Sequence, residues 1–164
     1  MKSRHFEALI FSTKAAVGAL LAVFCSDLVH LPGMIWAPIS AVVVTEKELH
    51  PSFKTATFRI LANLIGAFIG AALSTLFGHN LPSLAVGILL TGLTCHFARL
   101  GEAMRPAYAA VVIVILSGEG QAWTGSLDRV TGVAIGCVAA LVVGFVFDKA
   151  SGVWLADPEA KDKR

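Results

Sequence analysis

The chain has 164 residues, of which 56% are hydrophobic and only 15% charged, with a net charge of +2 and a mean hydropathy of +0.76. Soluble domains carry about a quarter charged residues, so this composition excludes an ordinary water-soluble domain and makes the lipid bilayer the chain's main partner. Nothing in so small a net charge calls for nucleic acid.

Six membrane segments are expected, in chain order over residues 8–29, 34–45, 54–77, 82–98, 106–117 and 127–147. Lys2 and Arg4 precede the first, as in a signal peptide, but Lys14 interrupts the apolar stretch and no cleavage-type segment follows. A retained span is expected there. The third opens after Pro51 and Ser52, a helix start. The uninterrupted runs over 60–79 and 130–147 match the roughly 20 apolar residues that cross a bilayer core of about 30 Å. Breakers separate the segments, among them Pro32-Gly33, Gly78 with Pro82, and Gly118-Glu119-Gly120. Residues 149–164 read as an interfacial turn around Trp154 and then a disordered, charged end.

Charge sets the expected orientation. With the N-terminus in the cytoplasm, Arg129 alone of the 13 Lys and Arg residues falls on the outer side. The positive-inside rule then puts both termini in the cytoplasm. Cys25, Cys95 and Cys137 lie inside apolar segments at no metal-ligand spacing and read as small core residues.

Two stretches read as copies at a spacing of 70 residues: Arg59-Ile-Leu-Ala62-Asn63-Leu-Ile-Gly66 with Gly70, and Arg129-Val-Thr-Gly132-Val133-Ala-Ile-Gly136 with Ala140. Small residues every fourth position let a neighbouring helix approach closely. Gly66, Gly70, Gly132 and Gly136 are therefore the expected helix-packing positions. Three spans per half is an odd number, so the fold class expected is an all-α integral membrane protein of six transmembrane helices in two inverted three-helix repeats, 8–78 and 79–148. Segments two and five are short and marked by Trp36-Ala37-Pro38 and Pro106-Ala107-Tyr108. Pro38 and Pro106 are expected to break them, and paired short, interrupted segments point to a transport site.

Arg59 and Arg129 head the candidate functional residues. A charge within a membrane helix is costly and faces protein or water, and each arginine shares a helix face with the glycine seven positions on. Attraction of an anion from opposite ends of one path is the functional reading; pairing with Glu46, Glu48 or Asp128 is the structural one. Lys14 either lines a cytoplasmic vestibule or snorkels to the headgroups. Trp36 and Tyr108 stack on an aromatic substrate, or gate a pore, or anchor the interface as Trp123 and Trp154 are expected to do. His96 reads as an end-of-helix histidine. Neither a phosphate loop, nor paired metal-binding histidines, nor a nucleophile elbow occurs, so no enzyme, metal or cofactor is expected. Acidic residues sit at loops and segment ends, which deprives a proton relay of its usual carboxylate.

The run Trp36-Ala37-Pro38-Ile39-Ser40, then Pro51-Ser52, then Arg59 with Gly66 and Gly70 resembles the fusaric-acid-resistance-like (FUSC) family. That family includes bacterial aromatic acid exporters and looks related to plant aluminium-activated malate transporters. The resemblance implies a six-helix unit of a bacterial inner membrane that exports or conducts small organic anions, usually as a dimer; a lone unit implies a homo-oligomer. Its Arg-x-x-Gly-Thr pattern is Arg59-Ile-Leu-Ala62-Asn63 here, so a threonine contact with substrate is missing. The expectation is an exporter or channel for small organic anions, including aromatic carboxylates. The alternative is a scaffold or accessory subunit whose glycine ladders serve only assembly.

Overall fold

The computed structural model describes residues 2–30, 35–46, 49–117 and 122–150. They form six helices: α1 (Lys2–Leu28), α2 (Trp36–Val44), α3 (Leu49–Phe77), α4 (Leu81–Phe97), α5 (Met104–Leu116) and α6 (Ala122–Ala150), with a 3-10 turn at Gly101–Ala103 before α5. Glu48 and Trp154, for which roles were expected, lie outside the described residues.

Local chemistry accounts for the helix ends. Gly78 takes φ +77° after α3, a left-handed turn that costs glycine nothing. Asn80 then caps α4, its side chain accepting from the Ser83 N–H at 2.8 Å, with Pro82 in the first turn where no helical donor is needed. The expectation that Pro38 and Pro106 break the short segments is corrected. Each is the third residue of its helix, in α2 and α5, among the N–H positions that have no acceptor within the helix. They start these helices rather than interrupt them.

All six expected segments are helical, but their lengths differ. Among the described residues, α1, α3 and α6 contain spans long and apolar enough to cross a membrane, and α4 is a shorter apolar helix. The nine residues of α2 rise only about 13 Å and the thirteen of α5 about 20 Å. Neither reaches across a core of about 30 Å. Leu20, Phe24, Phe68, Leu76, Leu89 and Phe97 are among many large apolar side chains left exposed, a surface that lipid tails cover at no cost but water does not.

The long helices α3 and α6 form the centre and run antiparallel, since Ala56, Asn63 and Thr75 meet Cys137, Arg129 and Trp123 in turn. α2 packs on α6 and α5 on α3, while α1 covers α2 and α6 and α4 covers α5 and α3. Exchanging α1 with α4, α2 with α5 and α3 with α6 leaves this set of packed pairs unchanged. The close contacts obey the same exchange in the 70-residue register. A Cβ placed on Gly66 would collide with the Ala107 carbonyl oxygen, and one on Gly136 with that of Ala37. A Cβ on Gly70 would meet the Val114 side chain at 2.9 Å, and Gly132 is buried. The glycine ladders are thus consumed in packing α3 on α5 and α6 on α2, inside one chain.

Candidate functional site

Both arginines turn inward, and they converge on the α3–α6 crossing instead of standing at opposite ends of a path. Arg129 is 5% exposed. Its Nε donates to Asn63 Oδ1 at 2.9 Å, and the Trp36 ring lies across the guanidinium with its centroid 3.8 Å from Cζ. Its Nη1 is buried with no hydrogen-bond partner. Arg59 is partly buried, and its Nε donates to Ser40 Oγ at 3.1 Å. Asn63 ties the two together, because its Nδ2 donates to the Arg59 carbonyl oxygen at 2.8 Å. Among the described residues neither has a carboxylate at ion-pair distance, Glu46 and Asp128 included.

An open cleft of about 440 Å³ reaches Arg59 and is lined also by Val43, Thr55, Phe58, Glu102, Arg105 and Pro106. Small-molecule sites fall in this size range and combine an apolar lining with a few placed polar groups. At its mouth Lys54 Nζ donates to Glu102 Oε1 at 2.7 Å, both side chains being more than half exposed.

Two other expected site residues lie elsewhere. Lys14 neither lines a vestibule nor snorkels: it is 4% exposed and paired at 2.5 Å with Asp148, itself 5% exposed, joining α1 to α6. Asp148 stands near the end of its helix, as expected of the acidic residues, but it is buried, so the expected lack of a buried carboxylate fails there. Tyr108 stands away from the arginines, its hydroxyl set against Gly92 on α4. Trp36, by contrast, is a working part of the cluster. Ser40 and Asn63 were not singled out in the sequence, although Asn63 is a polar residue four positions after Arg59 and occupies the place of the missing threonine. Cys95 and Cys137 are buried free thiols, and no group of metal-binding side chains occurs among the described residues.

A family model described as fusaric acid resistance protein-like matches residues 20–143. The chain belongs to this family. Family relatives include the UPF0421 protein YgaE of Bacillus subtilis strain 168, 24% identical over 140 residues, which are 85% of this chain and 39% of that one. A UPF0421 protein of Bacillus thuringiensis strain Al Hakam is 26% identical over 132 residues, 80% of this chain and 37% of its own. The UPF0421 protein BH2644 of Halalkalibacterium halodurans is 28% identical over 111 residues, 68% and 31% of the two chains. This chain therefore spans less than two-fifths of the length of these relatives. No solved structure matches it. As a fusaric acid resistance-like protein it is a multi-pass membrane protein of a transport-related family.

Proposed function

We propose that this chain is the membrane unit of a transporter or channel that moves small organic anions out of the cell, with the cleft over Arg59 as its entrance. The observation that carries the reading is a pair of inward-turned guanidinium groups without carboxylate partners, one of them lining an open cleft. A charge held inside a membrane protein without a counter-ion is costly and marks an ion pathway. Phe58, Val43 and Pro106 offer apolar surface beside Arg59 and Arg105, which suits an anion with a compact apolar or aromatic body, such as an aromatic carboxylate.

The antiparallel central helices and the exchange symmetry of the packing support an inverted repeat, and the cation distribution favours both termini on the cytoplasmic side of a bacterial inner membrane. The cleft then opens to the cytoplasm with Lys54, Arg59 and Arg105 around it. In the 70-residue register Phe58 corresponds to Asp128 and Arg105 to Ile35, so the opposite mouth is poorer in cations. Anions are drawn in at one end and not held at the other, a field that favours export. The glycine ladders do not favour the scaffold alternative, because their partners lie within the chain. A homodimer would instead use the exposed apolar faces.

The test is flux. Purified protein in liposomes is loaded with labelled phthalate or malate, both fully ionised at neutral pH. Wild-type protein releases one or both, and Arg59→Ala slows release by about tenfold or more, the effect of losing one charge-assisted contact. Equal rates for the variant and wild type would overturn the assignment.

A further inference from the structure

The two halves hold their arginines in unlike ways. Over Arg59 the position corresponding to Trp36 is Pro106, a small ring that leaves the 440 Å³ cleft open. Over Arg129 stands Trp36 itself, its indole 3.8 Å from the guanidinium carbon, and Arg129 is buried to 5% exposure. The indole thus fills, in one half, the place where the other half has open space. The seal is chemically incomplete. A cation–π contact satisfies the face of the guanidinium and none of its N–H groups, and Nη1 lies buried without an acceptor.

We infer that Trp36 is the gate of the Arg129 end: it plugs the pathway at rest, and an organic anion arriving from the Arg59 cleft displaces it by taking the guanidinium N–H groups. The exchange is favourable for an anion alone, because a carboxylate bonded to a desolvated guanidinium outcompetes a ring face. Neutral solutes have nothing to offer Arg129 and leave the gate shut. Asn63, holding Nε through its Oδ1, keeps the guanidinium in place while the indole moves. The inference rests on the anion pathway proposed above, so its test needs one arm that does not depend on transport.

In the first arm, Trp36→Ala is compared with wild type and Trp36→Phe for phthalate and malate efflux from liposomes. Loss of the ring raises efflux by about tenfold, the factor carried by one partly desolvated cation–π contact, and phenylalanine gives an intermediate rate. In the second, the 164-residue chain carrying Trp123→Phe and Trp154→Phe reports on Trp36 alone. Malate increases the quenching of its emission by acrylamide, and a neutral diol of the same size does not. Efflux from folded Trp36→Ala protein at or below the wild-type rate overturns the gate, as does quenching that malate leaves unchanged. Should the alanine variant fail to fold, the phenylalanine variant and the quenching arm decide. If no protein moves either anion but malate still unmasks Trp36, the transport reading falls and the displaceable indole stands.

Discussion

Arg59 and Arg129 occupy corresponding places in two copies of one sequence pattern, yet one faces an open cleft and the other lies under an aromatic ring. The repeat supplies what they share: both turn inward, each from the helix whose glycine packs against a short helix of the other half. The differences come from single side chains. Pro106 stands where Trp36 stands, Val133 where Asn63 stands, and Ala110 where Ser40 stands. Ser40 and Asn63 belong to the first half, so the first half provides polar partners to both arginines and the second provides none. The frame the two halves share is symmetric in its packing, and differences at three positions make its ends unequal.

The largest effects come from attacking what the halves share. Gly136→Ala drives a methyl into a backbone oxygen of α2, and Gly66→Ala drives one into a backbone oxygen of α5. Backbone cannot swing aside as a side-chain tip can, so each should cost about 3 kcal/mol or more. The measurement is recovery of folded protein and thermal unfolding in detergent. Gly101→Ala, with nothing within 4 Å of its new carbon, serves as the neutral control. Unequal losses at Gly66 and Gly136 would break the claim that the two contacts are equivalent.

Next come the places where the halves differ. Lys14 and Asp148 form a buried pair between α1 and α6, whereas the corresponding positions are Leu84 on α4 and Gly78 just after α3. Lys14→Met or Asp148→Asn alone should destabilise by about 3 kcal/mol, because each leaves a buried charge without this partner, and the double variant should recover most of the loss. A double-mutant cycle by thermal unfolding measures the coupling. Asn63→Asp is the sharper experiment on function. It sets a carboxylate against Arg129 Nε at the cost of the Asn63 donation to the Arg59 carbonyl oxygen, so in protein that still folds anion efflux should fall by about tenfold or more. Undiminished efflux would show that the field of the arginine pair is not what draws the anion.

The helices, their order and the close approach at Gly66 and Gly136 could be read from the sequence because each depends on local pattern: apolar run lengths, glycine spacing and an arginine at a fixed offset. The contacts of the site could not, since they join distant parts of the chain. Lys14 and Asp148 are 134 positions apart, and Arg129 and Asn63 are 66 apart. Placing the arginines at opposite ends of a path treated each half by itself. Antiparallel crossing of α3 and α6 brings a residue early in one helix beside a residue midway along the other, and so draws both arginines to the crossing. The prolines misled for a different reason. A proline in a short apolar segment reads as a break, but at the third position of a helix it removes a donor that had no acceptor. Asn63 was within reach of sequence reasoning, as an amide four residues from an arginine in an otherwise apolar run.

The smallest effect sharpens the comparison at the cleft mouth. Lys54 and Glu102 are both largely exposed, and an exposed pair of this kind contributes roughly 0–1 kcal/mol, so Glu102→Gln should leave thermal stability almost unchanged. Its effect on flux is different in kind, because the carboxylate lines the cleft that an anion must enter. Removing it leaves Lys54, Arg59 and Arg105 uncompensated there, and efflux at low salt should rise by about two- to fivefold through faster capture. Screening over about 8 Å at physiological ionic strength should erase most of that gain. At the Arg129 end the proposed barrier is the indole, so Trp36→Ala should accelerate efflux at low and high salt alike. A gain for Glu102→Gln that survives high salt would place the carboxylate in direct contact with the solute, and the two ends would then differ in position rather than in mechanism.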